Sequence, residues 1–369
     1  ALYAGVEDPN YVKLKRDITE LAREFAGLGK DNALKHERPA EWLERSLQKY
    51  ERLGDVFEEL DAFVTMWYTT NTTDEKALAE LNELEELGLA VKEAEVLVKN
   101  GLAEISQRLP AIFEERPDLQ EYRYFLEEQL FFQRHQMSVD EEALAADLMR
   151  SGGSAWGRLF QAVSSTASAE WDGSGRKTVT ELRGLAFDPD REVRRTAWHK
   201  ELEAVRQVEL PLAAAMNGVK GFTVSLNRHR GFGSALEKSI QQARISQATL
   251  DALIGVMEES LPVFRRYLTG KAKLLGVDRM GFYDLFAPVG KDVAAWSFEA
   301  ARDVIVEHFR TFADEMADFA AHAFADGWID ARPRSGKVGG AYCISVPLTG
   351  ETRVLANFSG NFGDVKTLA

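Results

Sequence analysis

Between Val12 and Phe25 apolar side chains return mostly every three or four residues, at Val12, Leu14, Ile18, Leu21 and Phe25. That period lays them along one face of an α-helix. Asp8-Pro9-Asn10 ahead of the run is a start signal, and Gly27 and Gly29 mark its end. A longer stripe follows at Leu43, Leu47, Tyr50, Phe57, Leu60, Val64 and Trp67. A third runs from about Thr73 to Leu109, with Leu81, Leu84, Leu87, Val91, Val98 and Leu102 inward and with Gly88 and Gly101 as points of bending or interruption. Another helix is predicted after Pro117, through Tyr122, Phe125, Leu126, Leu130 and Phe131. Val139 to Trp156 reads as a helix with a Ser138 cap and Glu141 three residues on, a capping box. Helices with one apolar face each must pack against one another, as in a bundle.

The period changes between Thr166 and Val179. TASAEW and KTVTEL flank Asp172-Gly173-Ser174-Gly175, which predicts a hairpin turn. This break is the predicted boundary between an N-terminal helical domain, 1–180, and a second domain, 181–369. From Asp190 helical spacing resumes, with Pro211 as a kink or break, and continues to Gly231. Further helices are predicted near Ser246–Leu275 and Ser297–Ala325. Past Gly336 the period becomes two: Val338, Gly340, Tyr342, Ile344 and Val346 alternate with Gly339, Ala341, Cys343 and Ser345. Turn residues Thr349-Gly350-Glu351 and the run RVLANFS complete a β-hairpin over 338–359. A short helix, 364–369, follows with Asp364 as its cap. The fold class is therefore mainly α, with a small β-hairpin near the C-terminal end.

Charge narrows the partners. With 45 Lys plus Arg against 59 Asp plus Glu the formal net charge is -14, which repels phosphate backbones and argues against nucleic acid. No apolar run approaches the roughly 20 residues that span a bilayer, and the opening ALYAGVEDPNYV lacks the basic and apolar regions of a signal peptide. Cys343 is the single cysteine, so no intrachain disulfide forms, which suits a reducing cytoplasm. The expected localisation is cytoplasmic, although a chain that begins with Ala1 leaves targeting open.

No complete catalytic constellation is legible in the residues themselves. The six histidines are His36, His135, His199, His229, His308 and His322, and no two lie at the short spacings of zinc motifs. On one continuous helix His308 and His322 would stand about 21 Å apart along the axis, too far to share a metal. GSGRKT at 173–178 lacks the register of a phosphate loop. Cys343 lies on a predicted strand with no local histidine and reads as a half-buried structural residue. Gly339-Gly340-Ala341 are different, because small residues inside a strand pattern mark a bulge or the close approach of another backbone. Spacing alone favours a plain bulge or a tight helix–sheet contact; the other reading is a strand edge that accepts an extended peptide, main chain to main chain.

Four stretches carry a resemblance. They are KVGGAYCISVPLTGETRVLANFSGNFGDVKTLA (337–369), SVDEEALAADLMRSGGSAWGRLF (138–160), RHRGFGSALEKSI (228–240) and KAKLLGVDRMGFYDLFAPVG (271–290). Together they resemble the oligoendopeptidase F branch of the thimet-type zinc metallopeptidases, over most of the chain from about residue 40. The resemblance implies a multi-helix, channel-forming, zincin-like architecture, a zinc cofactor and short oligopeptides as substrate. It also implies that the segment after a stretch like DVKTLA is an H-E-x-x-H zinc helix, a motif these 369 residues do not contain. On that reading no catalytic or metal residue can be assigned here, 364–369 is the start of the zinc helix, and 181–369 is the N-terminal part of a catalytic domain. The missing segment could be a second chain, and this chain alone is expected to be inactive. The resemblance places Gly339, Gly340, Ala341, Tyr342 and Cys343 beside the bound peptide and turns the balance toward substrate contact. The alternative is a non-catalytic helical peptide-binding or scaffold protein derived from the same fold.

Overall fold

A computed structural model describes residues 2–173, 175–290 and 295–369. Three long helices form its first layer: α1 (Pro9–Lys30), then after the short α2 (Asn32–Glu37), α3 (Pro39–Thr70) and α4 (Glu75–Ile105). The predicted stripes meet in one core, where Tyr11, Ile18 and Phe25 pack on Leu53, Val56, Leu60, Leu84 and Val91. Asp8 caps α1 by accepting from Asn10 N. The two glycines read as the end of this helix lie inside it, and Gly29 has a packing role. A Cβ there would sit 2.8 Å from the Leu97 backbone carbon, so glycine lets α1 press against α4. α4 runs unbroken through Gly88 and Gly101. At Gly101 a Cβ would meet the Trp42 ring at 2.8 Å, and that fully buried indole donates to Leu28 O at 2.8 Å.

A second core gathers Trp42 and Leu43 with residues from α5 (Leu109–Glu115) and α6 (Arg123–Arg134). Next come α7 (Val139–Met149), a π turn at Arg150–Ser154, and α8 (Ala155–Thr166). The Ser138–Glu141 capping box forms as predicted, but the helix predicted to end at Trp156 continues to Thr166. Gly152 is a glycine because a Cβ there would meet the Phe222 ring at 2.7 Å.

The hairpin of β1 (Ser168–Glu170) and β2 (Arg176–Thr178) pairs Ser168 with Thr178. Its turn uses Asp172 at φ 43° and Gly173 at φ 68°, while Ser174 lies outside the described residues. KTVTEL is not strand throughout. Thr178 caps α9 (Val179–Gly184) in a capping box with Glu181, which ends the strand. α10 (Arg191–Gln207) and α11 (Glu209–His229) part at Val208, and Pro211 sits in the first turn of α11, where its missing N–H costs nothing. The short α12 (Ala235–Gln242), capped by Ser234, has no counterpart among the predicted helices. α13 (Gln247–Leu274) is capped by Ser246 but buries only Lys271 and Ala272, so Ile254, Met257, Phe264 and Tyr267 stay exposed.

Ser297–Ala325 is not one helix. α14 (Phe298–Arg310) and α15 (Asp314–Ala325) pack against each other, with the Thr311 hydroxyl closing α14 by donating to His308 O at 2.7 Å. The continuous-helix argument for His308 and His322 therefore falls. A three-stranded sheet follows, in the order β3 (Ile329–Asp330), β5 (Glu351–Leu355), β4 (Tyr342–Val346). The predicted 338–359 hairpin shrinks to these strands. α16 (Phe362–Leu368) is capped by Asn361, not Asp364, which is its N3 partner in a capping box. No helix among the described residues is long and apolar enough to cross a membrane.

Candidate functional site

Among the described residues β4 is paired on one side only. Val354 N donates to Trp328 O and Ala356 N to Asp330 O, both at 2.9 Å, so Val354 and the residue just after β5 turn their main chain toward β3. Glu351, Arg353 and Leu355 therefore turn theirs toward β4, opposite Val346, Ile344 and Tyr342. The N–H and C=O groups of Cys343 and Ser345 consequently point to the free edge. Such an edge is a template for another extended chain.

Side chains alternate as well. Val346 is buried and Tyr342 and Ile344 are half-buried, while Cys343 and Ser345 are exposed. This corrects the expected half-buried cysteine. The Tyr342 hydroxyl lies 2.5 Å from Thr69 Oγ1 on α3. Burial pushes the Tyr342 phenol above its ordinary value, and Thr69 opposes that shift. At the far end of the hairpin Leu348 N donates to the buried Glu59 carboxylate at 3.0 Å. α3 thus braces β4 along the face opposite Cys343 and Ser345.

Gly339, Gly340 and Ala341 are not strand residues; they lead into it. Gly340 has φ +83°, outside the extended region. Two side chains hold this lead-in. Asn357 Nδ2 donates to Val338 O at 2.9 Å and to Gly340 O at 2.8 Å. The buried Lys337 ammonium donates to Asp330 O, Asp330 Oδ1 and Arg332 O at 2.9, 3.1 and 3.0 Å. Val338 N also donates to Thr69 O at 3.0 Å. Period-two spacing runs through the glycines, so the sequence pattern could not separate lead-in from strand. Replacing Gly340 with valine is expected to destabilise the protein by about 1–3 kcal/mol, the cost of a β-branched residue in this backbone region. An unchanged urea midpoint would show that the left-handed turn is not required.

Beyond β5 the chain is fixed by one carboxylate. Asp364 Oδ2 accepts from Ser359 N at 2.7 Å and from Ser359 Oγ at 2.8 Å. Gly360, at φ +88°, passes so close to Trp296 that a Cβ would lie 2.9 Å from the Trp296 carbonyl oxygen. These contacts set the position of α16 relative to β5.

Among the described residues no three His, Cys, Asp or Glu side chains stand together so as to hold a metal. His135 stacks on Phe232 and bonds Arg230 O through Nδ1. His308 Nδ1 bonds Val304 O, and His322 lies 3.0 Å from Asp326. The candidate site residues that the sequence reading missed are Ser345 and Asn357: the first needed the pairing parity, the second a contact across the sheet.

Known proteins share this architecture. The family described as "Peptidase family M3" matches residues 185–369, and the one described as "Oligopeptidase F" matches residues 106–167. Oligopeptidase PepF of Bacillus subtilis (strain 168) is 25% identical over 238 residues, 63% of this chain and 35% of that protein. The chromosomal oligoendopeptidase F of Lactococcus lactis subsp. cremoris is 24% identical over 187 residues, 50% of this chain and 30% of that one. Oligoendopeptidase-F from Enterococcus faecium superposes with a TM-score of 0.62 at 18% identity, over 85% of this chain and 67% of that one. PZ peptidase A with an inhibitor gives 0.75 at 16% identity, over 96% and 60%. These alignments span about a third of the length of the curated relatives.

Proposed function

This chain belongs to peptidase family M3, and from that membership we propose that it forms the substrate-holding part of an oligopeptidase. The observation that carries the reading is the open edge of β4, where Cys343 and Ser345 offer main-chain groups and α3 supports the opposite face. An extended oligopeptide adds there as a further strand. Recognition through main chain favours no particular sequence, which suits an enzyme acting on varied short peptides. Gly339, Gly340 and Ala341 act by placing the start of that edge, held by Asn357 and Lys337.

In the same proposal residues 1–180 form the outer helical wall and 181–369 the first part of the catalytic unit. Zinc, which the family implies, is held by ligands beyond these 369 residues, in a further segment of the same chain or in a second one. A cytoplasmic setting goes with the single cysteine.

The test uses a preparation whose intact mass proves that it contains these 369 residues alone. It is expected to bind short peptides, to hold far less than one zinc per chain and to leave the peptides uncleaved. Stoichiometric zinc with chelator-sensitive cleavage would overturn the placement of the ligands. Failure to bind any peptide would overturn the role of β4.

A further inference from the structure

The lead-in to β4 is flanked by α9. A Cβ built on Gly339 would lie 3.2 Å from Thr180 Oγ1, and that oxygen is the one neighbouring atom it would meet within 4 Å. Further along α9 a Cβ on Gly184 would lie 3.1 Å from Ser359 Cβ. The helix is therefore held beside the lead-in at one end and beside the residues that follow β5 at the other. Its start is rigid, because Glu181 Oε2 accepts from Thr178 N at 2.7 Å and from Thr178 Oγ1 at 2.8 Å.

Two groups at this contact are left without partners. The half-buried Thr180 hydroxyl has no hydrogen bond among the described residues. Gly339 likewise keeps both its N–H and its C=O unbonded among them, although Asn357 takes the carbonyls of Val338 and Gly340 on either side. Gly339 is also not among the glycines with positive φ, so its backbone does not call for glycine. Its closeness to Thr180 does: a methyl there would crowd the hydroxyl and shield it, whereas glycine leaves the hydroxyl open.

The straight edge of β4 stops at Gly340, whose φ of +83° breaks the extended run. A peptide laid against Ser345 and Cys343 thus runs out of ladder on the way to Gly339, and its next main-chain groups need another partner. From Cys343 back to Gly339 is at most about 13 Å of extended chain, within reach of a short peptide. A threonine hydroxyl both donates and accepts, so it can take over where the ladder ends.

We propose that Thr180 is a substrate-contact residue whose hydroxyl donates to a main-chain carbonyl of the oligopeptide as it passes the Gly339 end of β4. The inference rests on the reading of β4 given above. A contact to main chain adds affinity without selecting sequence, in keeping with that reading, and it brings α9 into the peptide site.

A fluorescein-labelled hexapeptide, followed by fluorescence anisotropy on this chain, gives the test. Thr180→Val keeps the shape of the side chain and removes the hydroxyl; it should weaken binding about fivefold, the worth of one neutral hydrogen bond. Thr180→Ser, which keeps the hydroxyl, should bind like the unaltered protein. Because the hydroxyl bonds to nothing in the fold, the urea midpoint of both variants should stay unchanged. Undiminished binding by Thr180→Val, equal weakening by valine and serine, or a lowered midpoint accompanying the loss would overturn the proposal. Ser345→Pro, which blocks the edge of β4, separates the two readings. Binding lost there but intact in Thr180→Val leaves β4 standing and removes Thr180, whereas a hexapeptide that does not bind the unaltered chain removes both.

Discussion

Replacing Asp284 with alanine is expected to cost about 3–5 kcal/mol of stability, the usual price of breaking a buried ion pair from one side. The Asp284 carboxylate is fully buried. It accepts from Arg191 Nε and Nη2 at 3.1 and 2.9 Å, from Arg194 Nη2 at 3.1 Å and from Gly281 N at 2.9 Å. Arg194 is itself only 3% exposed, and its remaining contacts are carbonyl oxygens of Asp188, Pro189 and Tyr283. Alanine would leave that guanidinium buried without a counter-charge. The measurement is the urea midpoint at constant m-value, and a change below about 1 kcal/mol would contradict the account.

The same site predicts a pH dependence. Burial alone would raise the Asp284 pKa, but Arg191, Gly281 N and Arg194 outweigh it and hold the carboxyl below its ordinary value. A folded value below the unfolded one means stability that is complete above the unfolded pKa, near 4, and lost as the pH falls through the folded value. The alanine variant should therefore lose less stability on acidification than the unaltered protein.

Ser345→Pro carries the second large effect, and it falls on binding rather than folding. Proline removes one backbone N–H, and at Ser345 that N–H faces away from β5, so no ladder hydrogen bond is lost. Edge strands tolerate proline for this reason. An incoming peptide would lose one main-chain hydrogen bond and meet the pyrrolidine ring, and affinity is expected to fall at least tenfold. Ile344→Pro is the control with opposite parity: it breaks the pairing with Arg353 and should lower the melting temperature. Undiminished peptide binding by Ser345→Pro would remove β4 as the docking strand.

Much of the fold was legible because it is written in period. Val12 to Phe25 and Leu43 to Trp67 specify faces over many turns, and Asp8 and Ser138 mark the starts of α1 and α7. The break between α14 and α15 was hidden because Thr311-Phe312-Ala313 contains neither glycine nor proline. Gly29 looked like a terminator, although its reason is the distance to Leu97. Asn361 and Asp364 are both good cap residues, and only the hydrogen bonds tell which is the cap and which its partner. For the site, alternation revealed a strand at Tyr342 but not its partner, and which groups face outward depends on β3, two residues long and without a sequence signal of its own.

Cys343, exposed and the only thiol in the chain, stands next to the groups that would meet a peptide. The protein thereby carries one natural attachment point for a probe, with no cysteine to be engineered away. An environment-sensitive dye on that sulfur would report the arrival of a peptide as a change in emission, in a chain otherwise left as it is.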